Sequence, residues 1–259
     1  MGQAGHTSLN ELIQHHLSFC AMNINVFGMD IVLHIDTLLV SSALLFLVAW
    51  SFYTAAQSLS LLPSFRQGLH EMAIECVYNE VVSASPHYIH MVGPLGFALF
   101  ISIFVMNLMD LAPTSLGATV MGLVGFSSNF KLVPTADLNT TLALAVLTFF
   151  VIQINAISYL GPGSYIKGLL SHPFGLVLSP MNFMLRCIEE FSRIFSLSFR
   201  LYGNMFAGEI IFALLAVSPL WLKAVGVFSW CVFHILIIYL QAFIFMMLAV
   251  IGFGLALEH

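Results

Sequence analysis

The stretch SLSFRLYGNMFAGE, residues 196–209, sets an arginine and a carboxylate inside a chain that is otherwise almost pure hydrocarbon. Apolar residues run on both sides of it, and the next charge after Glu209 is Lys223. A helical pattern surrounds the stretch from about residue 180 to 218, breaks at SPLW, and resumes to about residue 257. At 1.5 Å per residue each arm is roughly 57 Å long, whereas the hydrocarbon core of a bilayer is about 30 Å thick. Two upright spans do not need that length. The arms are therefore expected to form a long, steeply tilted hairpin.

The rest of the chain agrees with a membrane setting. Of its 259 residues 60% are hydrophobic and 7% charged, where a soluble domain carries about 25% charged residues. The net charge of −5 contains no basic run, which argues against a nucleic-acid partner. Cys20, Cys76, Cys187 and Cys231 are scattered and form no CxxC, so they read as small apolar fillers. The first cation is Arg66. Residues 1–35, without a positive n-region, read as a retained polar tail, and residues 36–259 as a single membrane domain.

Spans are expected at about 37–56, 88–110, 138–160, 180–218 and 220–257. The fold class is thus an all-α integral membrane protein of about five membrane helices. Residues 66–82 differ: Leu69, Ala73, Cys76 and Val77 share one face and Glu71, Glu75 and Asn79 another, the pattern of an interfacial amphipathic helix. Between the second and third spans lies a Gly-, Pro- and Ser-rich segment that reads as a loop or short re-entrant piece. With the N-terminus outside and the C-terminus cytoplasmic, Arg66, Lys167, Arg186 and Arg193 fall inside and Lys131 and Lys223 outside, in the sense of the positive-inside rule.

On a helical wheel Arg200, Asn204, Ala207 and Ile211 share a stripe, which Arg186, Glu189 and Arg193 continue below. Glu189 and Arg193 are spaced as an i,i+4 ion pair. Glu209 falls on the opposite face. In the second arm His234 and Gln241 share a face, and a turn near Trp221 sets Arg200 level with Gln241 and Glu209 level with His234. Arg200 and Glu209 cannot both face the second arm of an ideal helix; curvature or a third helix must resolve this. A lone histidine in an apolar run is ordinarily a hydrogen-bonded core residue. Level with a carboxyl, it becomes a candidate for proton transfer. An arginine within a span is a candidate site by default.

SFRLYGNMFAGE followed by FHILIIYLQAFIFM (233–246) resembles the C-terminal hairpin of subunit a of the F-type ATP synthase. NLMDLAP (107–113), VPTADLN (133–139) and, more weakly, HHL with DTLLV resemble the same family. The resemblance implies a proton-conducting stator subunit with two aqueous half-channels against a rotating c-ring. In it Arg200 separates the half-channels and drives the ring carboxylate to ionise. Asn204, Glu209, His234, Gln241 and Asp110 are its expected partners in proton translocation, and Glu189, Glu190 and Ser196 the expected inner half-channel. The implied partners are the c-ring, the peripheral-stalk subunit b, the remainder of the F1Fo complex and the bilayer. No cofactor or metal is expected.

The Glu209 and His234 arrangement implies a bacterial inner membrane rather than the mitochondrial one. A GxxxxGK[ST] phosphate loop is absent from the sequence, so the chain is expected to be non-catalytic on its own. A stand-alone ion channel or secondary transporter is the competing reading, though no internal repeat supports it. A haem- or quinone-binding subunit would want facing histidine pairs, and an intramembrane protease a Ser/His or paired-Asp site.

Overall fold

The computed structural model describes residues 21–26, 29–57, 59–111, 133–171 and 174–257. Among these residues five helices are long and apolar enough to cross a membrane. The described part of the expected tail forms a two-stranded hairpin. Strands β1 (Ala21–Val26) and β2 (Met29–His34) pair antiparallel, Ala21 opposite His34 and Val26 opposite Met29. Ile24, Val26, Ile31 and Val32 supply the β-branched content that favours this. His15, His16 and Cys20 lie outside the described residues.

Helix α1 (Ile35–Gln57) buries Asp36, Thr37 and Val40 at its start and turns Leu38, Phe46, Leu47 and Trp50 outward. An apolar outward face is what lipid demands. Helix α2 (Phe65–Ala84) opens on Ser64, whose hydroxyl accepts the Gln67 N–H at 3.4 Å. Its buried residues are Gln67, Val77 and Val81, so of the apolar face read from the sequence Val77 is buried while Leu69 and Cys76 are exposed. The helix packs on α3 and α7.

Helix α3 (Ile89–Leu108) runs into a 3-10 turn, Met109–Leu111. A second 3-10 turn, Pro134–Ala136, precedes α4 (Leu138–Leu160), which Asp137 caps by accepting the Asn139 N–H at 3.0 Å. Gly161, at φ 79°, breaks the chain there, and a separate helix α5 (Pro162–Ser171) follows where the sequence suggested only the end of the span. Helices α6 (Ser179–Val217) and α7 (Leu220–Leu257) are 39 and 38 residues long. Asn182 anchors the start of α6, accepting the Phe174 N–H and donating to the Leu170 and Gly175 carbonyls.

Helix α7 is the centre of the packing, with α3, α4 and α6 around it. Ala242, Ala249 and Ala256, seven apart and all buried, form a smooth stripe along it. Small side chains let helix backbones approach closely, which is how helices associate where lipid removes the hydrophobic driving force. Gly96 shows how close: a Cβ there would lie 3.2 Å from Val81 and 3.3 Å from Val250. Three helices converge on one missing side chain.

Candidate functional site

The link between α6 and α7 is two residues long, Ser218 and Pro219, so the arms lie antiparallel in fixed register. Four contacts trace it. Leu215 meets Gly226, Gly208 meets His234, Asn204 and Arg200 meet Gln241, and Arg193 meets Gly252. Gln241 is buried and bonded twice to α6: its Oε1 accepts from Asn204 Nδ2, and its Nε2 donates to the Arg200 carbonyl, both at 3.3 Å.

Gln241 therefore holds the backbone of Arg200, not its charge. The guanidinium donates from Nη2 to Ser196 Oγ at 3.4 Å, on its own helix. Among the described residues no ion pair involves Arg200, whereas Arg186 and Arg193 are both paired.

Higher on the hairpin the expected partnership changes. The residue that faces His234 across the interface is Gly208, and the carboxylate bonded to the imidazole comes from a third helix. His234 Nε2 lies 2.6 Å from Asp110 Oδ2, with the two side chains 0% and 5% exposed. Phe212 and Trp230 flank the ring at 6.0 and 5.7 Å. A bond this short between two buried side chains fixes their mutual geometry. Glu209 stands one residue beyond Gly208, half-buried. The geometrical tension between Arg200 and Glu209 is thus met by α3, which supplies Asp110.

Gly208 is a site residue the sequence reading did not single out. A methyl group there would lie 2.8 Å from His234 Cε1 and 3.1 Å from Asp110 Oδ2. Its signal was two small residues, Ala207 and Gly208, beside an acid. Asn107 is another: it is wholly buried, and neither its Oδ1 nor its Nδ2 has a partner among the described residues. The same holds for Thr135 Oγ1, His234 Nδ1 and Trp230 Nε1. Buried polar groups of this kind ordinarily bind ordered water.

At the other end of α6, Arg186, Glu189 and Arg193 of the sequence stripe and their neighbour Glu190 close on one another. Arg186 reaches Glu190 at 3.1 Å and Glu189 at 3.8 Å; Arg193 reaches Glu189 at 3.2 Å and Glu190 at 3.3 Å. The Glu190 side chain is 10% exposed and that of Glu189 52%. The Arg193 guanidinium occupies the notch at Gly252, where a Cβ would stand 2.8 Å from Nη1. A cavity of about 10 Å³, lined by Thr148, Glu190, Arg193 and Ala249 among others, adjoins the network. Nearby, Tyr165 donates its hydroxyl proton to Gln153 Oε1. Burial pushes the Tyr165 hydroxyl above its ordinary 10.0, Arg186 pulling it back and Glu190 adding to the rise. Among the described residues, no three His, Cys, Asp or Glu side chains gather as a metal site.

Five membrane-length helices among the described residues, several of them carrying buried ionisable side chains, define a multi-span integral membrane protein. A family model described as ATP synthase A chain matches residues 37–251. The ATP synthase subunit a of Alkalilimnicola ehrlichii is 39% identical over 258 residues, covering 99% of this chain and 98% of the relative. That of Coxiella burnetii (strain RSA 493 / Nine Mile phase I) is 38% identical over 253 residues, 96% of each chain. That of Shewanella pealeana is 40% identical over 228 residues, 87% of this chain and 82% of the relative. The chain belongs to the ATP synthase A chain family.

Proposed function

We propose that the chain is the proton-conducting stator subunit of a bacterial F-type ATP synthase, set in the inner membrane with its N-terminus outside. Its α6–α7 hairpin lies against a ring of c subunits, and a peripheral stalk holds it still. One observation carries this reading. Arg200 keeps a permanent cation in a membrane-length helix without an ion pair among the described residues, while the other arginines of α6 are paired. An intramembrane charge calls for a counter-charge. A carboxylate presented by another subunit would supply it.

The chemistry follows from that encounter. A ring carboxylic acid crosses lipid neutral. Beside a guanidinium, which does not lose its proton in proteins, the acid ionises because a nearby opposite charge favours its charged form. The proton leaves on one side, the ring turns, and the carboxylate is protonated from the other half-channel. Arg200 cannot surrender a proton, so it also separates the two half-channels. A lysine could lose its proton when buried and would be a poorer barrier.

Asp110 and His234, with Glu209 beside them, form the relay of the outer half-channel. Asn204 and Gln241 fix the backbone that carries Arg200. The inner half-channel runs by Glu189 and Ser196. Glu190, buried between Arg186 and Arg193, lies beside the same path. The membrane potential supplies about 2.3 kcal/mol per charge per 100 mV, so several protons must pass for each ATP, which a turning ring provides. The chain itself makes and breaks no bond of ATP.

The test is ATP-driven proton pumping in vesicles carrying the whole complex. Arg200→Ala and Arg200→Lys should both abolish pumping while the complex still co-purifies with its ring. Pumping that survives Arg200→Ala would make the arginine structural and remove the basis of the mechanism.

A further inference from the structure

Helices α2 and α3 leave a hollow of about 340 Å³ between them, lined by Ile74 and Val77 on one side and by Ile89, Gly93 and Phe97 on the other. Packed protein ordinarily holds few voids larger than a water molecule, so a hollow of this size has a cause. Gly93 supplies it. A Cβ there would meet only Ile89, at 3.6 and 4.0 Å, and the space beyond is open. One turn from the rim, Pro94 lacks the N–H that would bond the His90 carbonyl within the helix. The polar side chains of the lining are Tyr78 and His90.

The back wall is fixed and the rim is open. Val77 is buried, and Phe97 stands edge-on to Phe52 of α1 at 5.2 Å. Ile74, Tyr78 and His90 are exposed, as is Met91 next to them. From Ile89 to Phe97 the chain rises about 12 Å, at the start of a membrane-length helix. Half of a hydrocarbon core is about 15 Å thick. The hollow therefore lies within one leaflet, continuous with the surface that meets lipid. Its shape narrows the choice of occupant. Spread along that rise, about 340 Å³ gives a cross-section roughly 6 Å wide, whereas a helix with its side chains is about 10–12 Å across.

We propose that this hollow binds one acyl chain of a membrane phospholipid, held between α2 and α3. A helix of another subunit is too wide for it, and an unbranched hydrocarbon chain is not. Apolar cavities stay dry and take apolar guests, and the medium along this rim consists of such chains. The methylenes lie on Ile74, Val77, Ile89 and Phe97. The imidazole N–H of His90 and the hydroxyl of Tyr78 are donors, and the ester and phosphate oxygens of a phospholipid are acceptors. The site needs only the membrane setting and is independent of the role given to Arg200.

The experiment places the whole complex in vesicles of a phospholipid that carries a diazirine midway along one acyl chain. Light is applied before and after exchange into excess unlabelled phospholipid and detergent, and labelled residues are read by peptide mass spectrometry. Before exchange, the lining and the exposed Phe46, Leu47 and Trp50 of α1 should all be labelled. After exchange α1 should lose its label, and residues 74–78 and 89–97 should keep theirs. Gly93→Leu and Ile74→Trp fill the hollow from opposite sides and should abolish the retained label. Gly93→Leu exchanges a weak helix former for a strong one, and Ile74 is exposed, so neither change disturbs the core.

A lining that is unlabelled from the outset would mean that another subunit covers the hollow, and would overturn the proposal. Label lost from the lining as fast as from α1 would show passing lipid only and overturn it as well. Label retained in both variants would place the bound chain elsewhere, with the same result. Should one variant fail to assemble, the other decides; should both fail, the exchange in wild type decides alone. An Arg200→Ala complex should keep the label as wild type does, so loss of proton transport and loss of this site are told apart.

Discussion

Gly208 has no side chain, and that absence lets a histidine of α7 and an aspartate beyond α3 meet across α6. Gly208→Ala would put a methyl 2.8 Å from His234 Cε1, with Phe212 and Trp230 flanking the ring. Overpacking of this sort costs about 1–3 kcal/mol. Proton flux should fall by about tenfold or more in an assembled complex, as one such displacement can move reacting groups out of line. Wild-type flux in Gly208→Ala would show that the pair has slack to spare. Asp110→Asn and His234→Ala should each lower flux, and the double variant should be little worse than either, since they remove one shared contact. Additive losses would mean that the two residues act separately. The sequence placed Arg200 level with Gln241 because a short turn near Trp221 fixes the register of neighbouring helices, and the Gln241 bond to the Arg200 carbonyl agrees. It could not place Asp110 against His234, a contact 124 positions apart that depends on how α3 packs on α7.

Between α6 and α7 the paired charges near Gly252 do a different task from the lone cation above them. Glu190 is buried between Arg186 and Arg193, and Glu189 is half in solvent. Breaking a buried pair leaves an uncompensated charge and costs about 3–5 kcal/mol, whereas an exposed pair contributes about 0–1 kcal/mol. Glu190→Gln should therefore lower the thermal inactivation temperature of the solubilised complex clearly more than Glu189→Gln. Equal effects would contradict the burial difference. Gly252→Ala should resemble Glu190→Gln, because it expels the Arg193 guanidinium from its notch. At this scale the helices were legible: apolar runs stop at Gly161, at Ser218–Pro219 and near Pro86, where the backbone cannot continue them. The buried residues of α2 were only partly legible. Val77 lay on the apolar face read from the sequence, whereas Val81 is buried where Gly96 lets α3 approach. The strands of 21–34 were likewise hidden within a stretch read by its polarity.

Across the whole molecule, two helices nearly twice the length that a bilayer requires are stitched to a smaller bundle through small residues of α7. Such length suits a surface along which another body travels, with a cation at a fixed height. Composition and the Arg200 stretch made that architecture readable. The candidate site residues were readable only as residue types; which of them meet depends on how α3 packs on α7.

The most direct test of Arg200 as the barrier is passive conductance. Membranes carrying the whole complex are stripped of the catalytic head, the ring carboxylates are blocked with a carbodiimide, and a proton gradient is imposed. With the ring unable to carry protons, wild type should be tight and Arg200→Ala should leak, because the half-channels then connect directly. An Arg200→Ala complex as tight as wild type would show that something other than this arginine keeps the two half-channels apart.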